Sequence, residues 1–413
     1  MKIVKRYFLT QRLAFAALGF DIESMSENGS ERILKYPWLF FVLVILTFLK
    51  YTAIFHYAYV NANNIISVAN SFSMVCQGVV CITKLTIFFF KRRDIMDMVS
   101  LLQKDVMNAQ SEDLAIIREE NARDVFFCNI YSLVLCVTGW FGMVLPFVRT
   151  LVLYIYNAWS GCFFTANIIT VSFLEMNELL HSLWDFNTSY GYVLLSAWNM
   201  LRIHTVLAAT MGIDTLYSWL ITNIVAQFRI LSYHFQQAGW TTAAHDGSEV
   251  GVSAEQEQLI SDCIGLHNRI FDLVDELNRV YGTITFVKFV VSSLCCCCSI
   301  FFINASGSSQ SAFNLCYQGI FFTAVTLQLA TYCYNGQRIS DESELVATKI
   351  YLAFPWPLLP VTTQRSLLMS MIRAQQPCEM RGVFFKVDLS LFVWVFKTAG
   401  SLIAVLQYLD EAE

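Results

Sequence analysis

The sequence predicts an all-α membrane protein of seven transmembrane helices, inverted so that the N-terminus lies inside and the C-terminus outside. Three observations predict it. Of 413 residues, 56% are hydrophobic and only 14% charged, with a mean hydropathy of +0.51, where globular chains carry about 25% charge. The apolar residues collect into stretches of roughly 20 or more, the length that crosses hydrocarbon. Lys and Arg fall almost wholly in alternate loops.

The expected spans are residues 38–59, 65–90, 125–148, 190–221, 281–303, 312–334 and 389–409. The third and sixth carry no charge. The fourth is the least apolar, because it holds Arg202, His204 and Asp214. Residues 151–174 compete as an eighth span, but they contain Asn157, Ser160, Gly161 and Asn167. Charge decides against them. With seven spans, 21 Lys and Arg residues fall on one side and one, Arg149, on the other. Basic loops resist translocation, so the side with 21 is cytoplasmic. An eighth span would export the basic stretch from Arg338 to Lys386. The sequons at Asn187 and Asn304 then fall outside, as glycosylation requires, while the one at Asn28 falls inside. Residues 13–20 are too short, and lead into Asp21 without a cleavage site, so no signal peptide is expected.

The segments between spans divide the chain as follows. Residues 1–37 form a cytoplasmic N-terminal segment, and 38–235 hold the first four spans with an extracellular lid loop at 149–189. Residues 236–280 form a cytoplasmic loop and an amphipathic helix. The loop, 236–253, is rich in Gly, Ala, Ser and Thr. From 254 to 280, Leu259, Ile260, Cys263, Ile264, Ile270, Leu273, Val274 and Leu277 keep helical spacing. That helix runs on into the fifth span, either lying on the membrane or projecting from it to pack on partners. Residues 281–334 carry the fifth and sixth spans. Residues 335–387 are cytoplasmic and include an amphipathic helix near 363–375, between Pro360 and Pro377. Residues 388–413 form the last span and an acidic extracellular tail.

No catalytic constellation is present, and an enzyme is not expected. The six histidines share no ligand spacing, and 13 cysteines, four of them in the run Cys295 to Cys298, sit mostly in apolar segments as small apolar residues. Glu175, Glu178 and His181 share a helical face that reads as solvated rather than metal-binding. No cofactor is expected, and a net charge of −5 gives no nucleic-acid signal. Charges within spans are functional candidates: Arg202, Asp214, Lys288 and Lys397. Lys84, and with it Lys288, is read as snorkelling to an interface. Lys397, near mid-span, is expected to face protein or water.

The inverted order argues against a G-protein-coupled receptor, and DRY and NPxxY motifs are absent. Internal repeats that would suggest a transporter are absent as well. The last fifth of the chain carries the series Thr331-Tyr-Cys-Tyr-Asn-Gly-Gln, Glu342-Ser-Glu-Leu-Val-Ala, Ile350-Tyr351, Trp356, Arg373-Ala-Gln-Gln-Pro377, Leu389-Ser390, Phe392, Lys397, Ser401 and Val405-Leu406. In order and spacing it resembles the insect odorant receptor family, and Arg12 with Leu18-Gly19-Phe20 is similar to a weaker N-terminal motif. A gustatory receptor shares the topology but usually ends in a different motif.

The resemblance implies an odorant-gated, non-selective cation channel in the plasma membrane of olfactory sensory neurons. Its partners would be a small volatile molecule, the lipid bilayer, permeating cations, and the coreceptor Orco in a heteromeric tetramer packed through a cytoplasmic anchor domain. The seventh segment would be split, with 363–375 in the anchor and 389–409 lining the pore. The family gate matches Val405, with Leu402 and Tyr408 a turn to either side. The coreceptor pattern has Gln where this chain has Tyr408, which implies a ligand-specific subunit. By depth and helical face, the family's odorant pocket maps to Phe72, Val75 and Cys76, to Cys136, Trp140 and Met143, to Asn199 and Ile203, and to Phe313 and Tyr317.

Overall fold

A computed structural model describes residues 9–20, 36–60, 62–63, 65–159, 189–244, 254–305 and 312–412. They form nine helices: α1 Leu9–Ala17, α2 Pro37–Val60, α3 Ile65–Asn108, α4 Ser111–Trp159, α5 Ser189–Ala244, α6 Ala254–Ala305, α7 Ala312–Ala353, α8 Val361–Ala374 and α9 Leu389–Ala412. A single 3-10 turn, Trp356–Leu358, and a two-strand hairpin, Arg381–Gly382 with Phe385–Lys386, complete them. Seven of these helices are 24 to 56 residues long. Each contains one expected span. Four are long and apolar enough to cross a membrane: α2, Ser71–Asn108 of α3, Ser111–Val144 of α4 and Ala254–Ile303 of α6.

Several helices run far past their apolar stretches. α3 and α4 meet across only Ala109 and Gln110. Residues 254–303 form one unbroken helix, as the pattern predicts. The expected loop at 236–253 starts later than its composition suggests, because α5 continues to Ala244. Its turns there are held from outside: Phe235 and Ala238 are fully buried, and Gly239 lies against the Ala353 carbonyl. Tertiary burial outweighs the weak helix propensity of small polar residues. Residues 151–159 extend α4 without a break, and 160–174 lie outside the described residues.

α5 is the axis of the bundle and packs against α1, α2, α3, α4, α6 and α7. Every residue from Gly212 to Phe228 is buried. A helix buried on all sides needs no lipid-facing apolar surface, so this stretch can hold Asp214, one of the charges that made the fourth span look weak. α1 seats Phe15 against Gly212, and Gln11 donates to the Thr215 carbonyl at 3.1 Å. The chain leaves α1 through Gly19 at φ +87°, with Phe20 N–H returning to the Phe15 carbonyl. Glycine reaches that left-handed conformation at no steric cost, which accounts for the Leu18-Gly19-Phe20 motif. Phe20 then joins Phe15, Phe40 and Phe88 in one aromatic cluster.

At the end expected to be cytoplasmic, the long helices are tied by charge. Glu120 of α4, fully buried, pairs with Arg229 of α5 and Arg338 of α7. Arg229 Nε also donates to Glu342 at 2.8 Å. α8 docks on α6 through Arg373, whose guanidinium lies 3.8 Å from the Phe271 ring, and His267 packs on the same ring at 4.8 Å.

Burial, together with the nearby Arg373 cation, pushes the His267 imidazole down from 6.5 to about 4. A depressed histidine favours the folded state while neutral. Its contribution is therefore full above about 6.5 and lost as pH falls through the window to about 4. Thermal melts of solubilised protein at pH 7.5 and pH 5 are expected to show an acid-induced loss. His267→Phe, which keeps the ring and loses the proton site, reduces that difference; an unchanged difference would remove His267 as its source.

Candidate functional site

An elongated cavity of about 100 Å³ opens where α3, α4, α5 and α7 converge, with Tyr51 of α2 at one end. α5 supplies Arg202, Ile203, Val206, Leu207 and Thr210, α4 supplies Leu135, Thr138, Gly139 and Gly142, α7 supplies Tyr317, Phe321, Ala324, Val325 and Gln328, and α3 supplies Met74 and Gln77. Each set is one helical face. From Arg202 to Thr210 the wall runs about 12 Å at 1.5 Å per residue. The lining is mostly apolar; Arg202 lies toward one end and Thr210 and Gln328 toward the other, with Gln77 and Thr138 also in the wall.

Of the positions mapped from the sequence, Ile203 and Tyr317 lie in this wall. Asn199, one turn beyond it, is buried and accepts from Arg202 Nε at 3.2 Å and Nη2 at 3.0 Å. Phe72, Cys136 and Trp140 are exposed on the outside of the chain, with Trp140 67% exposed. Val75 and Met143 are half-buried and Cys76 is buried, none of them in the wall. The side chain of Phe313 lies outside the described residues, as do Asn187, the Asn304 side chain, and Glu175, Glu178 and His181. Leu402, Val405 and Tyr408 fall on α9, with side chains outside the described residues. On α4 the face that meets the cavity, 135–138–139–142, is offset by one residue from the face 136–140–143.

Gly139 sets that face. A Cβ there would lie 2.3 Å from Leu207 Cδ1, so the bare backbone lets α4 close onto α5. Gly139→Ala is expected to leave folding intact, because a flexible leucine tip can yield, but Leu207 then moves into the cavity. In a homologous ligand series the preferred chain length shortens; an unchanged preference would disconnect this face from the ligand.

One helical turn beyond the cavity, toward the end expected to be cytoplasmic, lies a buried ionic centre. Thr210, Gln328 and Leu135 of the wall are followed on their helices by Asp214, Tyr332 and Tyr131. Asp214 accepts from Lys84 Nζ at 2.7 and 2.9 Å, from Lys288 Nζ at 3.4 Å, and from the hydroxyls of Tyr131 at 2.5 Å and Tyr332 at 2.7 Å. Lys288 also lies 3.7 Å from the centre of the Tyr332 ring, which stacks on Tyr217 at 4.3 Å. Lys84 and Lys288 are fully buried. The snorkelling assigned to Lys84 and Lys288 from sequence is therefore incorrect: both point inward, because Asp214 offers each a carboxylate that an interface would not. Five helices, α3 to α7, meet at this one carboxylate.

The comparisons with known proteins bear on this architecture. Residues 64–400 match the model of the 7tm odorant receptor family. The chain belongs to that family. Odorant receptor 45a of Drosophila melanogaster is similar to it at 26% identity, over 97% of this chain and 98% of its own length. Odorant receptor 47a of the same species is 23% identical over 97% and 98%. In fold, the receptor is similar to the solved insect olfactory receptor OR5 from Machilis hrabei in complex with eugenol, with a TM-score of 0.72 at 14% identity over 99% of this chain and 98% of that one. The match covers the whole odorant receptor and so includes the cavity helices and the segment from α7 to α9.

α9 of this receptor starts at an N-cap, where Asp388 Oδ1 accepts from Leu391 N–H at 2.9 Å. It buries Val395 and Ala399 against the bundle and leaves Val393, Trp394, Lys397 and Ser401 uncovered by its own chain.

Proposed function

We propose that this receptor is the odorant-binding subunit of a ligand-gated, non-selective cation channel. It acts in a heteromeric tetramer with the coreceptor Orco, in the plasma membrane of olfactory sensory neurons. Seven helices, α2 to α7 and α9, span the bilayer with the N-terminus inside. The inner extensions, together with residues 335–387 and α8, form the anchor through which subunits pack. α8 and α9 are the two pieces of a split seventh segment.

The observation that carries this reading is the cavity between α3, α4, α5 and α7, in the half of the bundle the charge count assigns to the outside. Its largely apolar lining with a few polar groups suits a small volatile molecule. Val75, Cys76, Met143 and Phe313 are candidates for an outer vestibule around it, and Asn187 and Asn304 for glycans; Phe72, Cys136 and Trp140 face away from it. The uncovered face of α9 supports a pore assignment, since four copies of an apolar face with one cation need each other or water. Val405, with Leu402 and Tyr408, is the proposed gate. Ligand opens it by binding the open state more tightly than the closed one.

Co-expression with Orco and current recording tests the reading. A dose-dependent cation current to a volatile ligand is expected, lost on co-expression of a chain with Val405→Lys. Currents indifferent to the Val405 substitution would remove the gate assignment.

A further inference from the structure

Resting on the odorant-binding reading, we propose that Arg202 anchors the ligand and restricts it to molecules with a strongly accepting oxygen, namely carboxylates and their esters, and that amines are rejected.

Arg202 lies at the outer end of the cavity and is half-buried in its wall. A guanidinium carries five N–H donors. Here Nε and Nη2 donate to Asn199 Oδ1, and Nη1 donates to the Tyr51 hydroxyl at 3.4 Å. Donors remain over, and among the described residues no carboxylate pairs with this cation. The nearest acid of the core, Asp214, lies three turns further down α5 and is already shared by Lys84 and Lys288. The outer end of the cavity therefore carries net positive potential in a low-dielectric setting, where an accepting oxygen is strongly favoured. An ammonium would add a second cation beside Arg202.

Asn199 and Tyr51 hold the guanidinium plane, so the ligand meets a positioned donor rather than a mobile chain. At the opposite end Gln328, 3% exposed, has its Oε1 buried without a hydrogen-bond partner. The two ends thus offer opposite chemistry, donors at Arg202 and an acceptor at Gln328, separated by Val206, Leu207, Phe321 and Val325. A ligand with its oxygen function at one end and an aliphatic body along the waist satisfies the donors. A hydroxyl at the far end would also satisfy Gln328.

The test uses chain-matched probes of one length: a carboxylate, its methyl ester, the amine and the hydrocarbon, applied to cells co-expressing Orco with wild type, Arg202→Met or Arg202→Lys. Surface biotinylation normalises each. Wild type is expected to respond to carboxylate and ester at lower concentration than to amine or hydrocarbon. Arg202→Met weakens the oxygenated probes by roughly tenfold or more, the worth of a hydrogen bond to a charged group, and leaves the hydrocarbon unchanged. Arg202→Lys restores the carboxylate more than the ester if the anion is the true ligand, and neither selectively if the neutral carbonyl is. Should Arg202→Met fail to reach the surface, the Lys variant decides alone: an unaltered ranking of all four probes overturns the inference. So does wild-type preference for the amine, or an equal shift of all probes in Arg202→Met. No current from wild type with any probe or other volatile would instead overturn the odorant-binding reading itself.

Discussion

Asp214→Asn is expected to destabilise the folded receptor by about 3–5 kcal/mol, the cost of leaving buried charges without their partner. Two ammonium groups, Lys84 and Lys288, converge on this carboxylate. The amide keeps the shape and some hydrogen bonds but removes the only negative charge they share among the described residues. They then face one another in a site closed to water. Tyr131 and Tyr332 cannot compensate, because each donates to Asp214 rather than supplying charge. The variant should melt earlier in detergent and reach the surface in smaller amounts. A triple variant, Lys84→Met, Asp214→Asn and Lys288→Met, should recover most of the loss, because removing every charge removes the repulsion. A single variant as stable as wild type would show that water or ions reach the centre.

The second large effect is expected at Gly336, within the Tyr-Asn-Gly-Gln stretch of the family signature. A Cβ on this residue would lie 2.0 Å from the Val387 carbonyl oxygen. That oxygen is backbone and cannot rotate away. Val387 is held in turn, since its N–H donates to the Met380 carbonyl at 2.8 Å. The strands Arg381–Gly382 and Phe385–Lys386 close that loop, and Asn278 of α6 clamps it by donating to the Glu379 carbonyl and accepting from Arg381 N–H, each at 2.8 Å. Gly336→Ala must therefore push the whole approach to α9 away from α7. Overpacking of this kind costs about 1–3 kcal/mol or more, and here it falls on the junction between the proposed anchor and the proposed pore helix. Loss of ligand-evoked current at retained surface level is expected. Gly319→Ala on the same helix meets nothing within 4 Å and should behave as wild type. Equal currents from both variants would separate this junction from gating.

Much of the fold was legible because lipid imposes long apolar helices and a charge asymmetry, and both can be counted along the chain. Helix ends were less legible. Residues 236–244 look like a loop, yet they continue as helix: Gly239 lies against Ala353 at the end of α7, and Phe235 just before them packs on Phe354, contacts between residues more than a hundred positions apart. The family signature marked Gly336 but could not say what the missing side chain makes room for.

The cavity was less legible still. Depth placed Ile203 and Tyr317 in its wall, since span boundaries set depth within a turn. Rotation about the helix axis was not set by depth, so 136–140–143 on α4 falls one residue from the cavity face. The pair Gly139 and Gly142 was the available signal, small residues marking where a neighbouring helix comes close. Lys84 looked like an interfacial lysine because its partner, Asp214, is 130 positions away.

The central claim, that ligand binding in the cavity between α3, α4, α5 and α7 opens a cation channel, is tested most directly by filling that cavity. Whole-cell currents would be recorded from cells co-expressing Orco with wild type or Val206→Trp, at matched surface level, across a panel of oxygenated volatiles. A dose-dependent current in wild type that is abolished in the filled variant is the predicted result. A current of unchanged potency in Val206→Trp, or none from wild type with any volatile, would contradict it.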